Sequence, residues 1–178
     1  MTFKSRSIRP LLLCALSAML AGCSANFSSV FPKGYFQLTS QLGLAQNECL
    51  QSTNQTADIG AKMMPCENVP SQLWIARRTL DGHYFLQTAS HVQVKWCLES
   101  TSHAEGSVLI DPCGNFTGQA WLAKSLDETR FKLTTQLRNP AQECLESGQA
   151  GDATGAHMDP CQDTPGQKWL IKWVEATA

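Results

Sequence analysis

The sequence predicts an all-β domain made of three copies of one unit, each stapled by its own disulfide. Three observations carry that expectation. A set of short motifs recurs three times at an even pitch, intervening stretches alternate with a period of two, and no segment shows a sustained helical stripe.

The recurrence is the strongest of these. Cys49-Leu-Gln-Ser52, Cys97-Leu-Glu-Ser100 and Cys144-Leu-Glu-Ser147 open equivalent segments. Met64-Pro-Cys66, Asp111-Pro-Cys113 and Asp159-Pro-Cys161 close them, and each second cysteine is followed by Gln-x-Trp: Gln72/Trp74, Gln119/Trp121 and Gln167/Trp169. Upstream stand Tyr35-Phe36, Tyr84-Phe85 and Arg130-Phe131 as matching apolar starts. The pitch is about 47 residues, the range of an architecture built from repeated supersecondary units.

Six cysteines admit fifteen pairings, so spacing alone does not choose among them. The repeat does, because equivalent residues should have equivalent neighbours: Cys49–Cys66, Cys97–Cys113 and Cys144–Cys161. Each link closes a loop of about 17 residues, worth roughly 3 kcal/mol in the chain-entropy account. Within a unit, Val92-Gln-Val-Lys-Trp96 alternates and Val108-Leu-Ile110 is a short apolar run, as strands require. Pro65, Pro112 and Pro160 lack an N–H and belong at strand ends. Four short strands per unit would give about twelve strands in one closed body.

The N-terminus reads as a targeting segment. Lys4, Arg6 and Arg9 precede an apolar run from Leu11 to Leu20, too short to span a membrane as a mature helix. It ends in Leu20-Ala-Gly-Cys23, which resembles a lipobox, implying a lipoprotein signal peptide over residues 1–22 and acyl chains on Cys23. Several chains would hold the protein firmly at a membrane. Ser24, where Asp would signal inner-membrane retention, points to the outer membrane. Removing Cys14 with the peptide and lipidating Cys23 leaves an even cysteine set, as expected in an oxidising compartment.

Other classes are disfavoured. The chain has 178 residues and a formal net charge of −1, without the clustered Lys and Arg that nucleic acid requires. His83, His91, His103 and His157 lack ligand spacing, so no metal is expected. With the cysteines stapled there is no free thiolate, and neither a phosphate loop nor a nucleophile elbow is present. No enzyme and no cofactor is expected. Arg77-Arg78 is expected at a solvated strand end.

Together, Cys-x-x-Ser, Pro-Cys and three Gln-x-Trp motifs resemble the ricin-B-type β-trefoil family over about Gly34 to Val174. The resemblance implies a β-trefoil of three four-stranded repeats at about 34–82, 83–129 and 130–178, with residues 23–33 as a lipidated linker. It implies that Gln72, Gln119, Gln167 and their Trp partners are scaffold. It also implies a sugar pocket in each unit: an Asp two residues after the first Cys, an aromatic two before the second, and an Asn before the Gln. This chain departs at every position. The Asp positions hold Gln51, Glu99 and Glu146; the aromatic positions Met64, Asp111 and Asp159; the Asn positions Ser71, Gly118 and Gly166.

Glu99 with Asp111, and Glu146 with Asp159, are therefore the candidate ligand-binding pairs, as carboxylates able to hold a polyhydroxyl, a cation or a cationic partner. The bland alternative is solvated loop charge. Trp96 and Trp173 have no counterparts in the other units and are candidates for a recognition patch or for local packing. The functional expectation is a lipid-anchored trefoil that binds glycan. The alternative is a protein-interaction subunit, similar to the accessory trefoils of cytolethal distending toxins.

Overall fold

Three strands end at Pro65, Pro112 and Pro160, as a residue without an N–H requires, whereas the alternating stretch ahead of Trp96 is not a strand: residues 93–95 precede the strand that begins there, and Val92 lies outside the described residues. The computed structural model describes residues 30–55, 58–90, 93–101, 107–137, 142–148 and 155–174. The signal peptide, Cys23, His91, His103 and the side chain of Trp173 lie outside the described residues. In chain order the strands are β1 Phe36–Ser40, β2 Glu48–Gln55, β3 Asp58–Pro65, β4 Trp74–Arg78, β5 Tyr84–Thr88 and β6 Trp96–Ser100. They continue as β7 Val108–Pro112, β8 Trp121–Ser125, β9 Arg130–Thr135, β10 Glu143–Glu146, β11 His157–Pro160 and β12 Trp169–Trp173.

About twelve strands form, as expected, but only half of them close on one another. Six strands close a barrel through the antiparallel ring β1–β12–β9–β8–β5–β4–β1. The other six make three hairpins, β2–β3, β6–β7 and β10–β11. Closure removes the unpaired edges that an open sheet of this size would expose. Disulfides join Cys49 to Cys66, Cys97 to Cys113 and Cys144 to Cys161 with Cα separations of 4.9, 5.0 and 5.0 Å. Each therefore ties the first strand of a hairpin to the residue just past its terminal proline.

The core repeats with the motifs. Trp74, Trp121 and Trp169 are fully buried, as are Leu38, Leu86 and Leu133 from the barrel and Leu50, Leu98 and Leu145 from the hairpins. The apolar starts differ from expectation in unit two. Trp74 faces Thr88, Trp121 faces Thr135 and Trp169 faces Ser40, which makes Phe36, Tyr84 and Phe131 the equivalent residues. Tyr84, not Phe85, thus points inward, and the pleat turns Phe85 to the outside.

Those three rings gather around a residue that the sequence placed in a linker. Phe31 is 4% exposed, with ring centroids 5.4 Å from Phe36, 4.9 Å from Tyr84 and 5.3 Å from Phe131. One ring from outside the repeat thereby packs against a ring of each unit.

A further ring of contacts closes the three units on one another. The serine of each Cys-x-x-Ser motif shares a hydrogen bond with the last residue of the next unit's first barrel strand. The pairs are Ser52–Thr88 at 3.0 Å, Ser100–Thr135 at 2.8 Å and Ser147–Ser40 at 2.7 Å. Ser40 also caps α1 (Gln41–Gln46), accepting from the Gly43 amide at 2.9 Å, and Asn47 ends that helix in the left-handed region at φ 55°. At six residues α1 is too short to show a stripe, which is why sequence periodicity missed it.

The Phe31 contact gives a stability test. Phe31→Ala should cost about 3–5 kcal/mol in chemical denaturation, as a large buried ring does. Tyr35→Ala, whose ring is 52% exposed, should stay within about 0.5 kcal/mol of the parent.

Candidate functional site

The sugar-pocket positions lie beside the motif glutamines, so the glutamines come first. A buried primary amide has two donors and an acceptor to satisfy, and each motif glutamine uses both ends. Its Oε1 accepts from the amide after the second cysteine: Glu67 at 2.7 Å, Gly114 at 2.8 Å and Gln162 at 2.7 Å. Its Nε2 donates to the carbonyl of Pro65, Pro112 or Pro160, at 2.8, 3.0 and 2.9 Å. Each tryptophan Nε1–H then donates to a leucine carbonyl: Leu50 at 2.9 Å, Leu98 at 2.8 Å and Leu145 at 2.8 Å.

Glu99 is drawn into this network. Its Oε2 accepts from Gln119 Nε2 at 2.7 Å, as Gln51 Oε1 does from Gln72 at 3.0 Å in unit one. Glu146 is held differently, with both carboxylate oxygens accepting from the Thr164 hydroxyl at 3.2 and 2.9 Å. Asp111 lies opposite Cys97 while Glu99 lies opposite Leu109, so the two carboxylates are diagonal neighbours on one face. Asp159 and Glu146 stand in the same relation, opposite Cys144 and His157. Each pair shares a face, but no hydrogen bond joins its members, and within each pair the glutamate is already engaged by the scaffold.

In units two and three the asparagine position is sterically closed. A Cβ on Gly118 would lie 2.3 Å from the Ser100 carbonyl oxygen and 3.1 Å from Glu99 Cγ. One on Gly166 would lie 2.1 Å from Glu146 Oε1. At Gly118 the backbone carbonyl of Ser100 leaves no room for a side chain, and at Gly166 the Glu146 carboxylate fills the place.

Trp96 is not placed beside Glu99. It is half-buried and packs against the hydrophobic core, on the strand face shared with buried Leu98 and Ser100. Its counterparts Glu48 and Glu143 also turn inward and are largely shielded. Among the described residues no group of three or more His, Cys, Asp or Glu is placed to hold a metal ion.

Open depressions lie elsewhere. One of about 750 Å³ is lined by Val30, Asp127, Glu128, Arg130 and Leu170, and in it Asp127 is paired with Arg130. Arg130 Nε donates to Asp127 Oδ2 at 2.6 Å, and the Thr129 and Arg130 amides donate to Oδ1 at 2.9 and 2.8 Å. The Arg130 guanidinium, followed by those amides, holds the Asp127 carboxyl far below the usual carboxylate range. Two others, of about 520 and 470 Å³, share Phe85 and Asn115 and so adjoin. No motif pointed to Phe85. The spacing could have, since the step from Phe36 that separates the first two motif cysteines lands on Tyr84 and leaves Phe85 one place out.

Gly118→Asn should lower the urea midpoint by an amount worth about 1–3 kcal/mol, as overpacking does, whereas Ser71→Asn should stay within about 0.5 kcal/mol. Asp127 has its folded-state pKa depressed, so its contribution is present above the unfolded-state value and fades as pH falls through the folded one. The melting-temperature gap between Asp127→Asn and the parent should therefore be open at neutral pH and narrow steadily below about pH 4.

No protein-family model matches the sequence, and a search of curated proteins finds no match. Solved structures do match. A mosquitocidal holotoxin is 15% identical over 81% of this chain with a TM-score of 0.68, although the chain covers only 17% of that protein. ThreeFoil, a designed three-fold symmetric protein, is 17% identical over 80% of this chain and 100% of its own, with a TM-score of 0.64. A ricin B-like lectin from Macrolepiota procera, solved in complex with lactose, is 16% identical over 81% of this chain and 98% of its own, with a TM-score of 0.58. At these identities the likeness is one of fold: the chain folds as a β-trefoil.

Proposed function

We propose that this chain is a lipid-anchored envelope protein that presents a β-trefoil for binding carbohydrate. The observation that supports this most is the match to nearly the whole length of a lectin solved with lactose. Fold likeness raises the expectation of a glycan ligand without naming the site. The reading is one of binding rather than catalysis, because the sequence carries no nucleophile or cofactor motif.

The organisation proposed is a lipoprotein signal peptide over residues 1–22, Cys23 as the acylated first mature residue, and a trefoil of three four-stranded repeats. Val30 and Phe31 belong with the trefoil in this scheme, which leaves a short tether between anchor and domain. The lipobox-like Leu20-Ala-Gly-Cys23 and Ser24 support an outer-membrane address.

Two experiments test these statements separately. The detergent-solubilised full chain on a glycan array should give saturable binding to at least one saccharide class. Silence across the array by a folded protein, with capture of a protein ligand instead, would favour the interaction-subunit alternative. Cys23→Ser should abolish incorporation of labelled palmitate and move the protein from the membrane fraction to the soluble one. Retention in the membrane without label would overturn the anchor.

A further inference from the structure

Unit two departs from its siblings at one place, and the departures are physically coupled. In unit one, Gln37 Nε2 donates to the Glu67 carbonyl at 2.6 Å; in unit three, Lys132 Nζ donates to the Gln162 carbonyl at 2.5 Å. A polar side chain from the barrel thus covers the residue after the second cysteine. The equivalent pair in unit two is Phe85 and Gly114. Phe85 has no donor, and its half-buried ring lies against an open depression instead of closing it.

Gly114 makes a second change possible. A Cβ there would lie 2.4 Å from the Phe116 ring, so glycine provides the room in which that ring lies. Phe116 stands where the other units have Val69 and Thr164, and it is 55% exposed. Two aromatic rings with no outward-facing counterparts therefore line one groove, with the amides of Gln87 and Asn115 beside them.

The charge at the groove is positive at one end. Arg77 and Lys95 line it, and neither side chain makes an ion pair among the described residues. Asp81, at the far end, is already engaged: the Thr79 hydroxyl donates to it, and His83 Nδ1 lies 3.0 Å from its other oxygen.

We propose that this groove, walled by Phe85 and Phe116 and edged by Arg77 and Lys95, binds a saccharide carrying a negative charge. The proposal rests on the carbohydrate reading above and gives it a site away from the glutamate-filled pocket positions. Aromatic faces suit the C–H side of a sugar ring, amides suit its hydroxyls, and an unpaired guanidinium with an ammonium suits a carboxylate or sulfate.

The test uses the detergent-solubilised full chain and matched acid/neutral probes: trigalacturonate against its methyl ester, sialyllactose against lactose, and sulfated against unsulfated galactose oligosaccharides. At least one acidic member should bind tenfold or more tighter than its neutral partner. That binding should fall at least tenfold in Phe85→Gln and in the double variant Arg77→Gln/Lys95→Gln, and weaken as salt is raised. Phe85→Gln places the unit-one residue at its own equivalent position, and its melting temperature should stay near the parent's. Glu99→Gln, which keeps the acceptor for Gln119 as Gln51 does in unit one, should bind like the parent. Glycan binding that ignores the Phe85 and Arg77/Lys95 variants, or shows no acidic preference, overturns this groove while leaving the carbohydrate reading intact. Absence of binding to every probe and to the wider array overturns both.

Discussion

A six-stranded barrel offers little interior, and three tryptophans take much of it. Each brings an indole N–H that must be satisfied in a place without water, since leaving a buried donor unpaired costs about 1–3 kcal/mol. The solution is the same three times: the N–H donates to the carbonyl of the leucine that follows the first cysteine of its own unit. That bond fixes the hairpin against the barrel. It also places the motif glutamine, two residues earlier, where it can tie together the turn after the second cysteine and the proline carbonyl before it. The disulfide then lies between two points already held by hydrogen bonds, so it reinforces a geometry set by the side chains around it.

Bonds within a unit do not explain why three units make one body. The hydroxyl pairs do part of that work, because each joins the hairpin of one unit to the barrel strand of the next, and Ser147 with Ser40 completes the circuit. Phe31 does another part by packing against one ring from each unit. A single residue that contacts all three repeats couples their stabilities, so loss at one unit is felt by its neighbours.

Repetition also shows where selection for structure relaxes. Positions that hold the scaffold are alike in all three units, whereas the outward positions diverge. In units two and three a glutamate accompanies a glycine before the motif glutamine, and in unit three the glutamate side chain fills the space the glycine leaves. In unit two alone, a polar bridge has been replaced by a phenylalanine, and the residue it would have bridged to is glycine. The consequence is an aromatic groove on one side of an otherwise three-fold scaffold, beside Arg77 and Lys95, which make no ion pair among the described residues.

Repeat spacing and period-two alternation were enough, by themselves, to determine an all-β chain of three stapled units and to single out the glutamine and tryptophan positions, because those features are local and recur. The partition into a barrel and three hairpins was not legible, since strands of either kind alternate alike and only pairing distinguishes them. Phe31 was invisible for a similar reason: it belongs to no repeat, and its worth comes from three rings that lie far apart in the chain. The Cys-x-x-Ser serine was legible as a motif but not as a bridge between units. Among the site residues, Glu99 and Glu146 were legible only as members of candidate carboxylate pairs, and the tertiary structure turns them toward Gln119 and Thr164. Tyr84-Phe85 was legible as an apolar start but not which ring faces in, and because side chains on a strand alternate between faces, that single step separates a core ring from a half-buried outward one.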